Sequence, residues 1–269
     1  MPDSRGPLPP FPTPGTLNAP PSWRCIDFIS DLHLHEGLPK TTKVLSEYLA
    51  STTADAVLML GDIFEAWVGD DMRAQAYETS CINMLATAGK RLYLGMMVGN
   101  RDFLLGQDML AACNAHRLVD PTILQAFKRT VLLVHGDELC LADTGYLQFR
   151  TQVRQPAWQS AFLAHPLEAR LAQAAQMRSA SQMKQQTQQP ETWADVDEPC
   201  AAKWLQAAGA TTLVHGHTHR PADEPFGIPG AHRHVLSDWD MDHEHPRAEV
   251  LRLTANGFER LPISLASSA

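Results

Sequence analysis

Five short stretches of this 269-residue chain each place metal- or phosphate-handling side chains directly after an apolar run: Asp31-Leu32-His33, Gly61-Asp62, Gly99-Asn100-Arg101-Asp102, His135-Gly136-Asp137 and His215-Gly216-His217-Thr218-His219. His215 sits at a strand end and reads as packed. The rest offer Asp31, His33, Asp62, Asn100, His135, His217 and His219, an oxygen and nitrogen set without thiolate that suits two divalent cations sharing one carboxylate. Any one stretch has a plainer reading: a Gly-Asp after a strand is a turn, and Asp31 is able to cap the next helix. Recurrence of all five is what points to a site.

The elements that must position these residues are legible nearby. Apolar runs at 26–29, 57–60, 92–98, 131–134 and 213–214 read as buried strands, the first of them spanning 23–30. Ligands in open α/β sheets lie outside the carboxyl ends of such strands. Helical spacing through Val44, Leu45, Tyr48 and Leu49 predicts a scaffold helix over 41–50, capped by Thr41 or Thr42. Further helices are expected over 73–88 and 201–208, the latter ended by Gly209. Phe64 and Trp67 are expected to pack beneath the site, while Asp70 and Asp71 are either turn residues or groups that orient the metal ligands. Val235-Leu236 and 250–253 read as short antiparallel strands completing a second sheet. His232, His234, His243 and His245, set among prolines and charges, read better as surface histidines than as another metal site.

Bulk composition narrows the function. A net charge of -8 gives no support to nucleic-acid binding, which normally shows a basic balance. Five cysteines without a Cys-x-x-Cys spacing do not suggest a disulfide framework, and a reducing compartment fits best. No apolar run approaches the roughly 18 residues of a membrane-spanning helix. Residues 1–22 are crowded with proline, lack the apolar core of a secretory signal and read as a disordered tail. The remainder, 23–269, reads as one α/β domain.

Within it, 146–189 has a different character. Leu163, Leu167, Leu171 and Ala174 form a helical stripe with Trp158 and Phe162 near it, and Arg150, Arg154, Arg170, Arg178 and Lys184 stand against the single acid Glu168. Two readings are open: a helical insertion that covers an anionic lipid and touches an anionic bilayer, or an amphipathic hairpin with a solvated basic face.

Asp31-x-His33, Gly61-Asp62, Gly99-Asn100, His135 and Gly216-His217-x-His219 resemble the calcineurin-like metallophosphoesterases. Phe64-Glu65-Ala66-Trp67-Val68-Gly69-Asp70-Asp71, Gly99 to Gly106 and His215-Gly216-His217-Thr218-His219-Arg220-Pro221 further resemble the branch acting on a nucleotide diphosphosugar lipid of lipid A biosynthesis. The resemblance implies an α/β four-layer sandwich, two mixed β-sheets flanked by helices, with a helical cap inserted at 146–200. It implies hydrolysis of UDP-2,3-diacylglucosamine to UMP and the diacylated sugar 1-phosphate by two-metal activation of water. It also implies two Mn2+ ions, which spacing alone does not distinguish from Fe2+ or Zn2+, and a monomer at the cytoplasmic face of the inner membrane. Asp62 would bridge the ions, with Asp31, His33 and His219 on one and Asn100, His135 and His217 on the other. Asn100, Arg101 and His217 would also meet substrate, joining Asp62 as catalytic residues.

Arg101 stands where generic members carry histidine, in Gly-Asn-His-Asp or Gly-Asn-His-Glu, a residue able to protonate an alkoxide. A departing phosphate has a second pKa of about 6 and needs no strong acid. Arginine offers it a fixed charge and a planar fork, which favours a diphosphate substrate. The plainer alternative is that Arg101 only pairs with Asp102. Asp143 either contacts substrate, as the resemblance implies, or caps a helix. Met177-Arg178-Ser179-Ala180-Ser181 resembles a family stretch whose serine, here Ser181, contacts substrate. Farther along, where the family carries asparagine and lysine, this chain has Gln185 and Gln188, with Lys184 as the neighbouring cation. The rival readings are a soluble nucleotide pyrophosphatase or phosphodiesterase on the same scaffold, and a non-catalytic scaffold. Retention of every ligand type argues against the latter.

Overall fold

Alternation along the strands decides the architecture. In β2 (Cys25–Ile29), β3 (Ala56–Leu60) and β4 (Tyr93–Met97) of the computed structural model, Ile26, Phe28, Ala56, Leu58, Leu60 and Met97 join one apolar cluster. Ile29, Val57, Met59, Leu94 and Met96 join another. Strands buried on both faces belong inside a layered α/β fold. The structure describes residues 8–187 and 195–263, without the side chains of 180–187, and is built that way.

One sheet runs β12 (Gly257–Pro262), β11 (Glu249–Thr254), β2, β3, β4, β5 (Ala115–Arg117), and β2 to β5 are parallel. The other runs β1 (Gly15–Asn18), β6 (Thr122–Ala126), β7 (Arg129–Leu133), β8 (Thr212–His215), β10 (His232–Val235), β9 (Ala222–Pro225). Between the sheets, Phe28, Leu58 and Leu60 meet Leu124, Val131, Leu133 and Val214. On the outside, α1 (Pro39–Ser51), α2 (Ala76–Gly89) and α3 (Gln107–Ala112) cover the first sheet. Trp204 and Leu205 of α7 (Glu198–Ala208) cover Leu132 and Leu213 of the second. The expected four layers are present. The carboxyl ends of parallel β2, β3 and β4 share one edge of their sheet, and parallel β7 and β8 deliver theirs from the other.

The proline-rich N-terminus departs from the disordered tail expected over 1–22. Gly15–Asn18 pairs in parallel with β6, and Phe11 meets Trp204 edge-on with ring centroids 5.6 Å apart. The prolines at 12, 14, 20 and 21 flank β1 rather than interrupt it, so its ladder to β6 loses no donor, and β1 is an edge strand. Residues 1–7 lie outside the described part.

Neither threonine caps α1. Pro39 opens the helix, and the Asp242 carboxylate accepts from the backbone N–H of Lys40 at 3.0 Å and of Thr41 at 2.9 Å, a long-range partner invisible to local sequence. The first core strand begins at Cys25 rather than Trp23, and the helix expected at 73 splits into a 3-10 turn at Asp70–Ala74 followed by α2. The late strands divide between the sheets: β10 lies parallel to β8, whereas β11 pairs antiparallel with β2.

The segment after β7 forms α4 (Thr144–Val153), α5 (Pro156–Leu163) and α6 (Leu167–Thr187). Pro156 and Pro166 break it, so the expected continuous stripe is interrupted. Leu163 ends α5 at 43% exposure, while Leu167, Leu171 and Ala174 of α6 pack on the core. The solvated basic face is not what Arg150, Arg154, Arg170 and Arg178 form. Arg150 Nε–H donates to Asp137 at 2.9 Å, Arg154 donates to Gly99 O at 2.9 Å, buried Arg170 pairs with Asp71, and Arg178 Nε lies 2.8 Å from Glu65. No helix of the described residues is long and apolar enough to cross a membrane.

Candidate metal centre

Asp31, His33, Asp62, His217 and His219 all adopt left-handed backbone, with φ of 53°, 46°, 52°, 66° and 53°. Each such non-glycine residue costs about 1–3 kcal/mol and persists only where its surroundings over-determine it. Here the loops hold one another. Asp31 N–H donates to Gly61 O at 3.1 Å, His33 N–H to Asp62 O at 3.0 Å and Gly216 N–H to His135 O at 3.0 Å. His217 N–H donates to Asp31 Oδ2 at 2.9 Å, tying the two sheets together. Buried Asp102 accepts from Gly99 N–H and Ile63 N–H, each at 2.7 Å, pinning the loops after β3 and β4. Backbone runs hard against carboxylate at two glycines: a Cβ on Gly99 would meet Asp62 Oδ1 at 2.1 Å, and one on Gly216 would meet Asp31 Oδ2 at 2.2 Å.

These loops bring all seven sequence-predicted ligand candidates together. His33 Nε2 lies 3.2 Å from His219 Nε2, which is 3.4 Å from Asp31 Oδ1. Asn100 Oδ1 lies 3.0 Å from His135 Nε2 and 2.9 Å from His217 Nδ1. Asp62 stands between the two groups, with Oδ2 3.9 Å from His33 Nε2 and Oδ1 3.8 Å from His135 Nε2. Buried Asp31 Oδ1 receives no hydrogen bond. An acceptor orphaned in this way among converging imidazole nitrogens fits a divalent cation.

Electrostatics follow from the crowding. Burial alone would raise the Asp31 carboxyl, but His219, His135 and His33 hold it well below the usual range. Burial alone would lower His135, but Asp62, Asp137 and Asp31 carry it up to about 9. Burial, with His135 adding to it, pushes His217 down to about 4. The protein groups alone therefore keep a proton on His135 near neutrality.

A family model of calcineurin-like phosphoesterases matches residues 26–221, the stretch that holds every ligand candidate. The chain belongs to the calcineurin-like phosphoesterases. It is 44% identical over 219 residues to the UDP-2,3-diacylglucosamine hydrolase of Chromohalobacter salexigens, covering 78% of this chain and 87% of that one. The protein of the same name from Cellvibrio japonicus is 42% identical, covering 86% of this chain and 95% of that one. Solved structures overlay loosely, Vps29 of Entamoeba histolytica at a TM-score of 0.44 and 12% identity over 89% of this chain and 99% of that one. The family model and the curated relatives carry the assignment.

Around the cluster of this calcineurin-like phosphoesterase, Arg101 N–H donates to Asp62 Oδ1 at 2.8 Å and its guanidinium lies 3.9 Å from Glu65. The alternative Arg101–Asp102 pair does not form, because backbone N–H groups take the Asp102 carboxylate. Asp143 caps α4, accepting from Tyr146 N–H at 3.1 Å. Asp70 accepts from Trp67 Nε1–H at 3.0 Å and Gly106 N–H at 2.8 Å, so it ties loops rather than orienting a ligand. His215 is packed as expected, buried, with burial pushing it down to about 4. His234 meets Asp223 and His243 meets Asp240; among the described residues no further metal cluster forms there. The side chains of Ser181, Lys184 and Gln185, and all of Gln188, lie outside the described part.

Sequence reading assigns no role to Glu65 or Asp238, and Asp137 enters it only as part of the stretch after β7. Glu65 Oε2 lies 2.8 Å from His33 Nδ1, Asp238 Oδ2 lies 3.5 Å from His219 Nδ1, and buried Asp137 accepts from Tyr146 and Arg150. Glu65 carried a signal, three residues after Asp62 inside a quoted motif; Asp238 carried none.

Proposed function

We propose that this chain hydrolyses the diphosphate of UDP-2,3-diacylglucosamine to UMP and 2,3-diacylglucosamine 1-phosphate. The observation that carries the reading is the convergence of seven oxygen and nitrogen donors where the strand ends of two sheets meet, in a chain whose relatives bear that substrate in their name. Asp31, His33 and His219 would hold one divalent cation, Asn100, His135 and His217 a second, and Asp62 would bridge them. Cations there supply charge to phosphoryl oxygens and bring a bound water towards a pKa of ~7. Manganese is the proposed metal, and the same donors accept iron or zinc.

The chain's own residues do the rest. Arg101 is fixed at its backbone by Asp62, and its buried Nε has no hydrogen-bond partner, which leaves a donor for a phosphate oxygen. His217 is held against Asn100 at 2.9 Å and stays neutral near pH 7, so it presents a lone pair rather than a charge. The helices at 146–200 reach the site loops through Arg150, Arg154 and Arg178, which supports their role as a cap that excludes water. Asp143, just before the cap, and Ser181, Lys184, Gln185 and Gln188 within it are assigned to substrate. A substrate with two acyl chains resides in a bilayer, so the protein would meet it as a monomer on the anionic inner face of the inner membrane.

The test is turnover of UDP-diacylglucosamine beside UDP-glucose and a p-nitrophenyl phosphodiester, with manganese restored after chelation. Strong preference for the lipid is expected. Equal or faster turnover of UDP-glucose would identify a soluble pyrophosphatase instead, and no turnover of any substrate with two ions bound would identify a scaffold.

A further inference from the structure

We propose that Glu65 is a positioning residue that joins the helical cap to the metal centre, an inference that rests on His33 being a metal ligand. The carboxylate is largely buried, and the Glu65 N–H donates to Leu34 O at 3.2 Å, so its backbone is fastened to the loop that carries Asp31 and His33. Its two oxygens face different elements. Oε2 lies 2.8 Å from His33 Nδ1. Oε1 lies 2.8 Å from Arg178 Nε on α6 and 3.9 Å from an Arg101 terminal nitrogen.

The first contact acts through charge at close range rather than through an aligned hydrogen bond. A carboxylate 2.8 Å from Nδ1 favours the proton on that nitrogen and leaves the Nε2 lone pair, which here faces His219 and Asp62, for a cation. The second contact is a latch. Arg170 and Arg150, which pair with Asp71 and Asp137, are themselves buried or mostly buried, whereas Arg178 is 41% exposed and pairs with Glu65 from the later part of α6. A single carboxylate thus sets which nitrogen of a ligand histidine holds the proton and balances two guanidinium groups, one on the cap and one beside Asp62. Removing its charge leaves Arg101 and Arg178 to repel each other across the site.

The experiment uses the full chain, titrated with Mn2+ and followed by bound-metal analysis and by hydrogen exchange over 171–179. Glu65→Ala is expected to lose about 10–100-fold in affinity for one Mn2+ and to raise exchange over that stretch. Glu65→Gln keeps a partly negative oxygen beside His33 Nδ1, so metal affinity should hold while exchange rises, which separates positioning from general damage. Arg178→Ala should raise exchange alone. His33→Ala is the control for the underlying assignment. If His33→Ala loses a metal and Glu65→Ala does not, the role of Glu65 is wrong and the metal centre stands. If His33→Ala keeps both metals at full affinity, the metal assignment itself fails. Unchanged exchange in both Glu65 variants would overturn the coupling to the cap.

Discussion

At His135 a proton and a cation compete for one nitrogen. Its folded pKa of about 9 lies above the ordinary 6.5, so in the absence of cations this group stabilises the fold fully below about pH 6.5 and loses that contribution as pH rises through about 9. Metal binding runs the other way, because a ligand imidazole must be neutral. Apparent Mn2+ affinity should fall about tenfold per unit as pH drops below about 9, with close to one proton released from His135 at pH 8. Calorimetry in buffers of different ionisation enthalpy measures this, and binding without proton release would contradict it. Asp62→Ala removes the carboxylate that stands 3.9 Å from His33 and 3.8 Å from His135. It should strip both metals, and a variant that keeps two ions and more than about a tenth of the turnover would sink the bridging role. Arg101→His exchanges a fixed charge for a titrating one. Diphosphate hydrolysis should fall about 10²-fold or more, and near-normal turnover would argue that Arg101 does not hold phosphate.

Among the elements, the helices of the insertion changed meaning most. A basic composition left open a bilayer-touching insertion or a solvated hairpin face, yet Arg150 on α4 and Arg154 at its C-cap reach inward to Asp137 and Gly99 O. Arg150→Glu with Arg154→Glu should therefore undock α4, seen as faster hydrogen exchange over 144–153, and should leave the salt dependence of vesicle binding unchanged. A salt-dependent loss of vesicle binding with α4 still protected would restore the outward-facing reading. The strand loops behave differently from the cap. Five left-handed residues sit there, held by hydrogen bonds from neighbouring loops, so each depends on others to keep its side chain aimed at the cluster.

For the whole molecule, the ligand candidates come from two sheets, and the apolar layer between them keeps the donors in register. Phe28, Leu58, Leu133 and Val214 are part of that layer. The cap adds a second body of contacts on top: Trp158 stacks on Phe162 at 4.8 Å and lies 6.2 Å from Phe103, which follows Arg101 in the loop after β4. If these rings shape the lipid site, each buried methylene of an acyl chain contributes about 0.8 kcal/mol. Trp158→Asp with Phe162→Asp should raise KM for a long-chain substrate more than for a short-chain analogue. An equal rise for both would assign the rings to cap structure only.

The cluster of candidate ligands was legible in the sequence because its seven donors follow the ends of five strands, and strand, turn and side-chain type are all local properties. That these strands lie inside an α/β fold was legible for a related reason, since runs apolar at successive positions require cover on both faces, and the family resemblance supplied the four layers. What local pattern does not carry is which distant group meets which. Gly15–Asn18 became a strand between flanking prolines only because β6 offered an edge, and α1 found its cap in Asp242. The late strands read alike in sequence but went to opposite sheets. The arginines of the cap have the same composition whether solvated or paired, and tertiary structure alone set Asp137, Asp71 and Glu65 against them. Glu65 and Asp238 behind His33 and His219 belong to the same class. An isolated acid reads as a surface charge until the fold brings an imidazole to it, because the energy of that pairing depends on distance and burial rather than on neighbours in the chain.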